Sequence, residues 1–275
     1  VQERGRAALE RLGLPTRRQE AWRLTDLKRL AAVAALPPSS TSVRRALPAP
    51  SEGVLRLVLD GSQPFLEGQV WPQGVSLLNP ADLEQVLGQI LDHCGCAEAW
   101  PVEFNHARSH QLLALRIRGK VPPLELVLSG GDGLVATRVI LILDEKADLD
   151  LLEVVLAEGG SAHSHVIEVH LGQEAELRHG FLATADGQAS LLAHLAVEQA
   201  PRSRYVFTSV VTGWSLGRVE PRVVQLEGQA ETTLKGLAMT SAEQQLATHT
   251  AVRFDGPEGE LDQLQKCLAL SLIHI

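Results

Sequence analysis

Three nine-residue segments constrain this 275-residue chain more than anything else in it. They are LILDEKADL at 141–149, VHLGQEAEL at 169–177 and VQLEGQAET at 224–232. Each reads apolar, any residue, Leu, a polar turn of three, Ala, an acid, then Leu or Thr. The alanines, Ala147, Ala175 and Ala230, lie 28 and 55 residues apart, the second interval close to twice the first. A further copy is due near residue 203, where RSRYVF offers Ser203 in the small-residue place. A period near 28 that holds two or more strands predicts a β-solenoid, in which each coil covers the apolar face of the one before. An antiparallel sandwich or jelly roll also places turn signals every ~8–12 residues and is the alternative architecture. The repeat spacing favours the solenoid.

The texture between the repeats agrees. From Leu112 onward, runs such as LLALRI, LELVL, VILIL, LLEVVL, VIEVHL and LATHTAVRF are strand-length, and no amphipathic helix interrupts them before Asp255. We therefore expect a mixed, mostly helical region over 1–110 and a β core over 111–269. In the first region, residues 1–12 predict a helix closed by Gly13 and Pro15. Thr16 with Gln19 predicts a second helix by the capping-box pattern, and Thr25-Asp26 a third. Pro37 to Ser51 reads as a linker, Val54–Leu59 as a strand, and Asn79-Pro80 as the start of a helix carrying Leu83, Val86, Leu87, Ile90 and Leu91. Trp22, a large ring in a charged stretch, calls for a packing partner.

Charge is uneven. Residues 1–56 hold 11 Lys/Arg against 5 Asp/Glu (+6), and the remainder 14 against 28 (−14), giving the net −8. So acidic a body argues against general nucleic-acid binding, which depends on neutralising phosphates. No apolar run reaches the ~20 residues needed to span a bilayer, and the first helix carries Arg4, Arg6 and Arg11 with no apolar stretch behind them. With three cysteines and no disulfide framework, the expected compartment is the cytoplasm.

Two motifs offer chemistry. His163 and His165 share one strand face by period-two alternation, while Glu168 and His170 have the opposite parity. They are the candidate metal ligands, and they open a second functional reading: a cupin-like metal-dependent enzyme with a His-x-His strand site. The common fate of such histidines is an exposed strand face, and no third ligand is in view. DHCGC at 92–96 sets a thiol pair beside His93, but a metal site there needs two further donors. Its plain reading is a helix end closed by Gly95, with small thiols packed under Trp100. No phosphate loop, dinucleotide fingerprint or nucleophile elbow is present, so no enzyme is expected and no catalytic residue is assigned.

Pro15, Arg17, Glu20, Trp22, Arg23, Thr25 and Leu27 together resemble the opening motif of the SufD branch of the SufB/SufD family, with Leu24 where that motif carries Tyr. FNHA at 104–107, VVQLEGQAETTLKGL at 223–237, THTAV at 248–252 and DQLQKC at 262–267 are similar to later family patterns. The resemblance implies a right-handed parallel β-helix and a scaffold subunit of the Suf iron–sulfur cluster assembly complex. It further implies pairing with a SufB-like subunit through the β-helix, and with a SufC-like ATPase through a C-terminal helical domain. The cluster would belong to the full complex, with no cofactor held by this chain, and the cofactor-binding residues stay unassigned. The ending LSLIHI, 270–275, reads as translated DNA-library adapter. The expectation is therefore a non-native tail on a chain truncated before that helical domain.

Overall fold

A computed structural model describes residues 2–39, 49–60, 66 and 68–270. The LSLIHI stretch after Leu270, and the middle of the proposed linker at 40–48, lie outside the described residues. Five short helices and fifteen strands are described. The helices are α1 (Gln2–Leu12), α2 (Leu27–Ala35), α3 (Pro80–Val86), α4 (Gln89–His93) and α5 (Trp100–Arg108). The strands open with β1 (Leu55–Leu59), β2 (Val75–Leu77), β3 (Gln111–Ile117), β4 (Leu124–Ser129) and β5 (Leu134–Leu143). They continue as β6 (Asp148–Ala157), β7 (Ala162–Leu171), β8 (Glu176–Ala185), β9 (Ser190–Gln199) and β10 (Arg204–Thr212). The last are β11 (Leu216–Gln225), β12 (Glu231–Ser241), β13 (Gln245–Thr248), β14 (Ala251–Phe254) and β15 (Glu260–Leu270).

The strands alternate between two parallel sheets. One runs β1-β4-β6-β8-β10-β12-β15, the other β2-β3-β5-β7-β9-β11-β13, with β14 also on β11. Every described pairing is parallel except β2 with β3. This is a flattened β-solenoid of about six turns. The 28-residue period now has a cause: two strands of about ten residues and two corners of about four make one coil. Because neighbouring coils pair without slip, like residues stack. Leu115, Leu141, Val169, Val197 and Val223 form one interior row through successive strand pairs.

The repeat motif is one corner of each coil. Ala147, Ala175, Ser203 and Ala230 are all buried, and each passes its carbonyl to the next coil at 2.8–3.0 Å: Glu176, Arg204, Glu231 and Glu260 donate to them in turn. Ser203 is thus a full member of the column. The residue before each is left-handed at φ 55–59°: Lys146, Glu174, Arg202, Gln229, and Glu258 ahead of Gly259. That conformation costs a non-glycine residue about 1–3 kcal/mol. The first four offset it by donating their N–H groups to the corner above, at 2.9–3.1 Å. The opposite corner needs Gly213, φ 77°, where a Cβ would sit 2.0 Å from the Ala185 carbonyl oxygen.

The N-terminal elements cover the outer face of the β5-β7-β9-β11 sheet. Two apolar clusters join them to it, one built on Trp22, Leu30, Trp100 and Phe104 over Leu134, Ala136 and Leu192. The other sets Ile90, Leu91, Cys96 and Val102 over Ile140, Val166 and Ala196. Two local expectations are corrected. The Thr16–Gln19 box forms only in half, with Gln19 Oε1 accepting from the Thr16 N–H at 2.8 Å, and the helix it would start is a single 3₁₀ turn, Glu20–Trp22. The helix that starts at Asn79 breaks at Gly88, φ 87°, into α3 and α4, which lets the second piece turn its apolar side onto the sheet. Asp26 caps α2 as expected, accepting from Lys28 and Arg29.

Candidate functional site

Trp22 has its partner. It meets Trp100 edge-on at 6.0 Å between centroids, and the Arg218 guanidinium lies over it at 4.0 Å. Arg218 also donates to the Ala21 carbonyl at 2.9 Å, and Gln245 accepts from the Asp26 N–H at 2.7 Å. Arg29 reaches the Ser215 and Glu243 carbonyls at 2.8 and 2.6 Å. The opening motif is therefore a clasp that ties the N-terminal layer to coils two hundred residues later. Leu24, in the place where the family motif carries Tyr, is 81% exposed. Trp22→Ala removes an edge-on aromatic contact, a cation–π contact and a buried ring, an expected loss of about 3 kcal/mol. Amide exchange should show 2–36 losing protection while 135–225 keeps it. Uniform loss over both regions would mean the clasp and the coils unfold as one unit.

His163 and His165 do share a face, but it is the sealed interior of the solenoid rather than an exposed one. His165 Nε2 is 2.9 Å from Glu153 Oε1, and His179 Nε2 is 2.9 Å from Glu153 Oε2. Outside them, Thr137 Oγ1 meets His165 Nδ1 at 2.9 Å, and the Tyr205 hydroxyl meets His179 Nδ1 at 3.1 Å. If both hydroxyls donate inward and both Nε2–H groups donate to Glu153, every atom of the row is used. Burial alone would raise the Glu153 carboxyl. The two imidazoles outweigh it and hold the group down at about 2. Burial lifts the Tyr205 hydroxyl well above its ordinary value. The network stitches β5 and β7 of one sheet to β6, β8 and β10 of the other, through the lumen.

His163 stands apart. It packs edge-on against Trp214 at 6.1 Å, and neither ring nitrogen makes a well-formed hydrogen bond. Burial first, then neighbouring His165, push it down to about 4, against the pull of the Leu156 carbonyl. Glu168 and His170 point outward, as their parity requires, Glu168 into a buried ion pair with Arg138 at 2.5 Å. Among the described residues, no three or more His, Cys, Asp or Glu form a group that could hold a metal ion. The cupin-type reading gains no support: its two histidines lie inside a parallel solenoid, whereas that fold is an antiparallel barrel. Glu153 was missed because its partners, His165 and His179, sit about half a coil and a full coil away, contacts only the closed coil reveals. Its one trace in the sequence is polar residues at the inward parity of β6, β8 and β10.

The far end of the solenoid is the other distinctive surface. No described strand stacks on β15, so its outer edge and side chains are open, with Leu264 48% and Leu268 54% exposed. Leu261, which faces the lumen, is exposed as well. The thiols of Cys94 and Cys96 are free and packed, and burial pushes both up, Cys96 to about 12. No described helix is long and apolar enough to cross a membrane.

The described residues thus form a parallel solenoid with a clasped helical layer over one sheet. Comparison with known proteins gives the family. Residues 126–271, just over half of the chain, match the model of the SufBD core domain of SUF-system iron–sulfur cluster assembly. The chain belongs to this family. It is 30% identical over 134 residues to Protein ABCI7, chloroplastic, of Arabidopsis thaliana, covering 48% of this chain and 28% of that protein. It is 29% identical over 103 residues to the iron–sulfur cluster assembly SufBD family protein slr0076 of Synechocystis, covering 38% and 23%. The matched segments thus span about a quarter of each relative's length.

Proposed function

We propose that this chain is a SufD-type, non-catalytic scaffold subunit of a cytoplasmic Suf complex. It would pair with a SufB-like subunit through its β-helix and support assembly of a cluster held by the complex. The observation that carries the reading is the parallel solenoid of the matched family core, whose last described strand, β15, turns Leu264 and Leu268 outward. An exposed edge strand is a template for a second strand, and its apolar side chains are buried only when one arrives. Contact with a SufC-like ATPase is assigned to a helical domain of the kind the resemblance places after the solenoid, not to the coils.

Co-purification tests it. The 275-residue chain should capture a SufB-type subunit, and by itself should self-associate through the same edge. Leu264→Glu with Leu268→Glu, both on exposed positions, should weaken either association by more than about tenfold, since an unpaired charge at such a contact costs ~2 kcal/mol or more. Unchanged association in the double variant would remove the edge from the reading. Stable binding of a SufC-type ATPase by these residues would place that contact within the coils or the N-terminal layer.

A further inference from the structure

The two sheets of the solenoid turn unlike faces outward. α4 and α5 pack on β5, β7 and β9 of the second sheet, where His93 also closes on Glu198, Nδ1 to Oε2 at 2.5 Å. The first sheet presents a different surface. Val154, Leu182, Val210 and Leu237 are successive partners in the register of β6, β8, β10 and β12, so they stack as one outward row. Leu182 is exposed, Val210 and Leu237 are half-buried, and Val154 is buried. Two residues further along each strand the outward row is Leu156, Thr184, Thr212 and Met239. Two residues earlier it is Leu152, Gly180, Thr208 and Lys235, with Leu152 exposed. Together these rows make a shallow, largely apolar valley that crosses the strands and follows the solenoid axis. A cavity of about 670 Å³ opens along its border, lined in part by Leu152, Gly180, Val206 and Thr208.

Carboxylates bound the valley on both sides. At the strand starts Asp148, Asp150, Glu176 and Glu231 outnumber Arg178 and Arg204, with which they form ion pairs. At the strand ends the corners at 157–161, 185–189, 213–215 and 242–244 carry Glu158, Asp186 and Glu243 and no Lys or Arg. Arg29 of α2 pairs with Glu243.

We propose that this valley is a docking groove for a basic amphipathic α-helix carried by another protein. Its apolar stripe would lie on Leu182, Val210 and Leu237, and its Lys and Arg residues over the acidic margins. Spacing and charge carry the fit. Neighbouring strands lie about 4.8 Å apart and a helix rises about 5.4 Å per turn, so a helix along the axis sets one apolar residue per turn near each successive coil. Long basic side chains then reach from the stripe to either margin while their stems cover apolar surface. The same margins disfavour other occupants. A second copy of this chain would bring its own carboxylates against these, and an anionic lipid surface would be repelled.

A fluorescent peptide of about 18 residues, with Leu at helical spacing and Lys on both flanks, is the probe. Titrated with the 275-residue chain, it should bind saturably at one to one, and more weakly as salt rises. The same peptide with Glu in place of Lys should bind at least about tenfold more weakly. Leu182→Thr with Leu237→Thr leaves the net charge unchanged and removes apolar contact, so affinity should fall at least about tenfold. Thr already stands at outward positions 184, 208, 212 and 233 of these strands, so the fold should be kept, and circular dichroism checks it. Leu77→Thr, at an exposed leucine of the second sheet, should change nothing. Capture of a SufB-type subunit by the double variant should also be unchanged, which separates this groove from the pairing proposed above. Absence of saturable binding, equal binding of the two peptides, or affinity unaffected by the double variant would overturn the proposal. So would loss of SufB-type capture, or of self-association, in the double variant, since the valley would then be occupied by that subunit or by a second copy.

Discussion

Glu153→Ala is expected to lower the unfolding free energy by about 3–5 kcal/mol, the range for removing one partner of a buried charged network. The carboxylate is wholly enclosed and is the shared acceptor for His165 and His179. Its loss leaves two Nε2–H groups in the lumen with no acceptor, and a void where the side chain stood. Glu153→Gln keeps the volume and one acceptor, so it should cost less than half as much. Urea unfolding measures both, and a double-mutant cycle of Glu153→Ala with His179→Phe should show coupling above about 1 kcal/mol. A loss under about 1 kcal/mol for Glu153→Ala would mean that water reaches the lumen and replaces the carboxylate.

Acidification from pH 7 to 5 is expected to destabilise the fold through His163 and His194. Burial pushes His194 down to about 4; Glu220 opposes this, while Arg222 and Arg218 add to it, and neither ring nitrogen has a hydrogen-bond partner. Burial and the nearby His165 hold His163 at about 4 as well. Unfolded, each titrates near ~6.5. Between about 6.5 and 4 the unfolded chain therefore binds more protons than the folded one, and stability falls as pH falls. At pH 5 that amounts to about 2 kcal/mol for each histidine. Glu153 acts in a lower window. Its depressed value means its contribution is present above its unfolded range near ~4.3 and is lost as pH drops toward 2. Urea midpoints at pH 7 and 5 measure the upper window, and His163→Phe, which removes its titration and keeps an edge-on ring for Trp214, should remove about half of the pH dependence and leave the His194 share. Equal stability at the two pH values would show that both rings are hydrated.

The sequence alone determined the architecture. A coil repeats its corner every time the chain returns to the same place, so Ala147, Ala175 and Ala230 carried the period, and Ser203 fell into the missing slot. Alternation within strands was equally legible: His163 and His165 share a face, and Glu168 and His170 point the other way. Helix caps at Asp26 and Asn79 were local, and local hydrogen bonds are written in adjacent residues. What only the tertiary structure decided was which side of a strand is inside and what meets there. Parity separates two faces without naming the lumen, so His163 and His165 could be taken for surface residues until the second sheet closed over them. The contacts between Glu153 and His165, between Trp22 and Arg218, and between His93 and Glu198 join residues half a coil, or several coils, apart. No local pattern encodes such pairs, because each is set by the stacking of coils and by where the helical layer lands on the sheet.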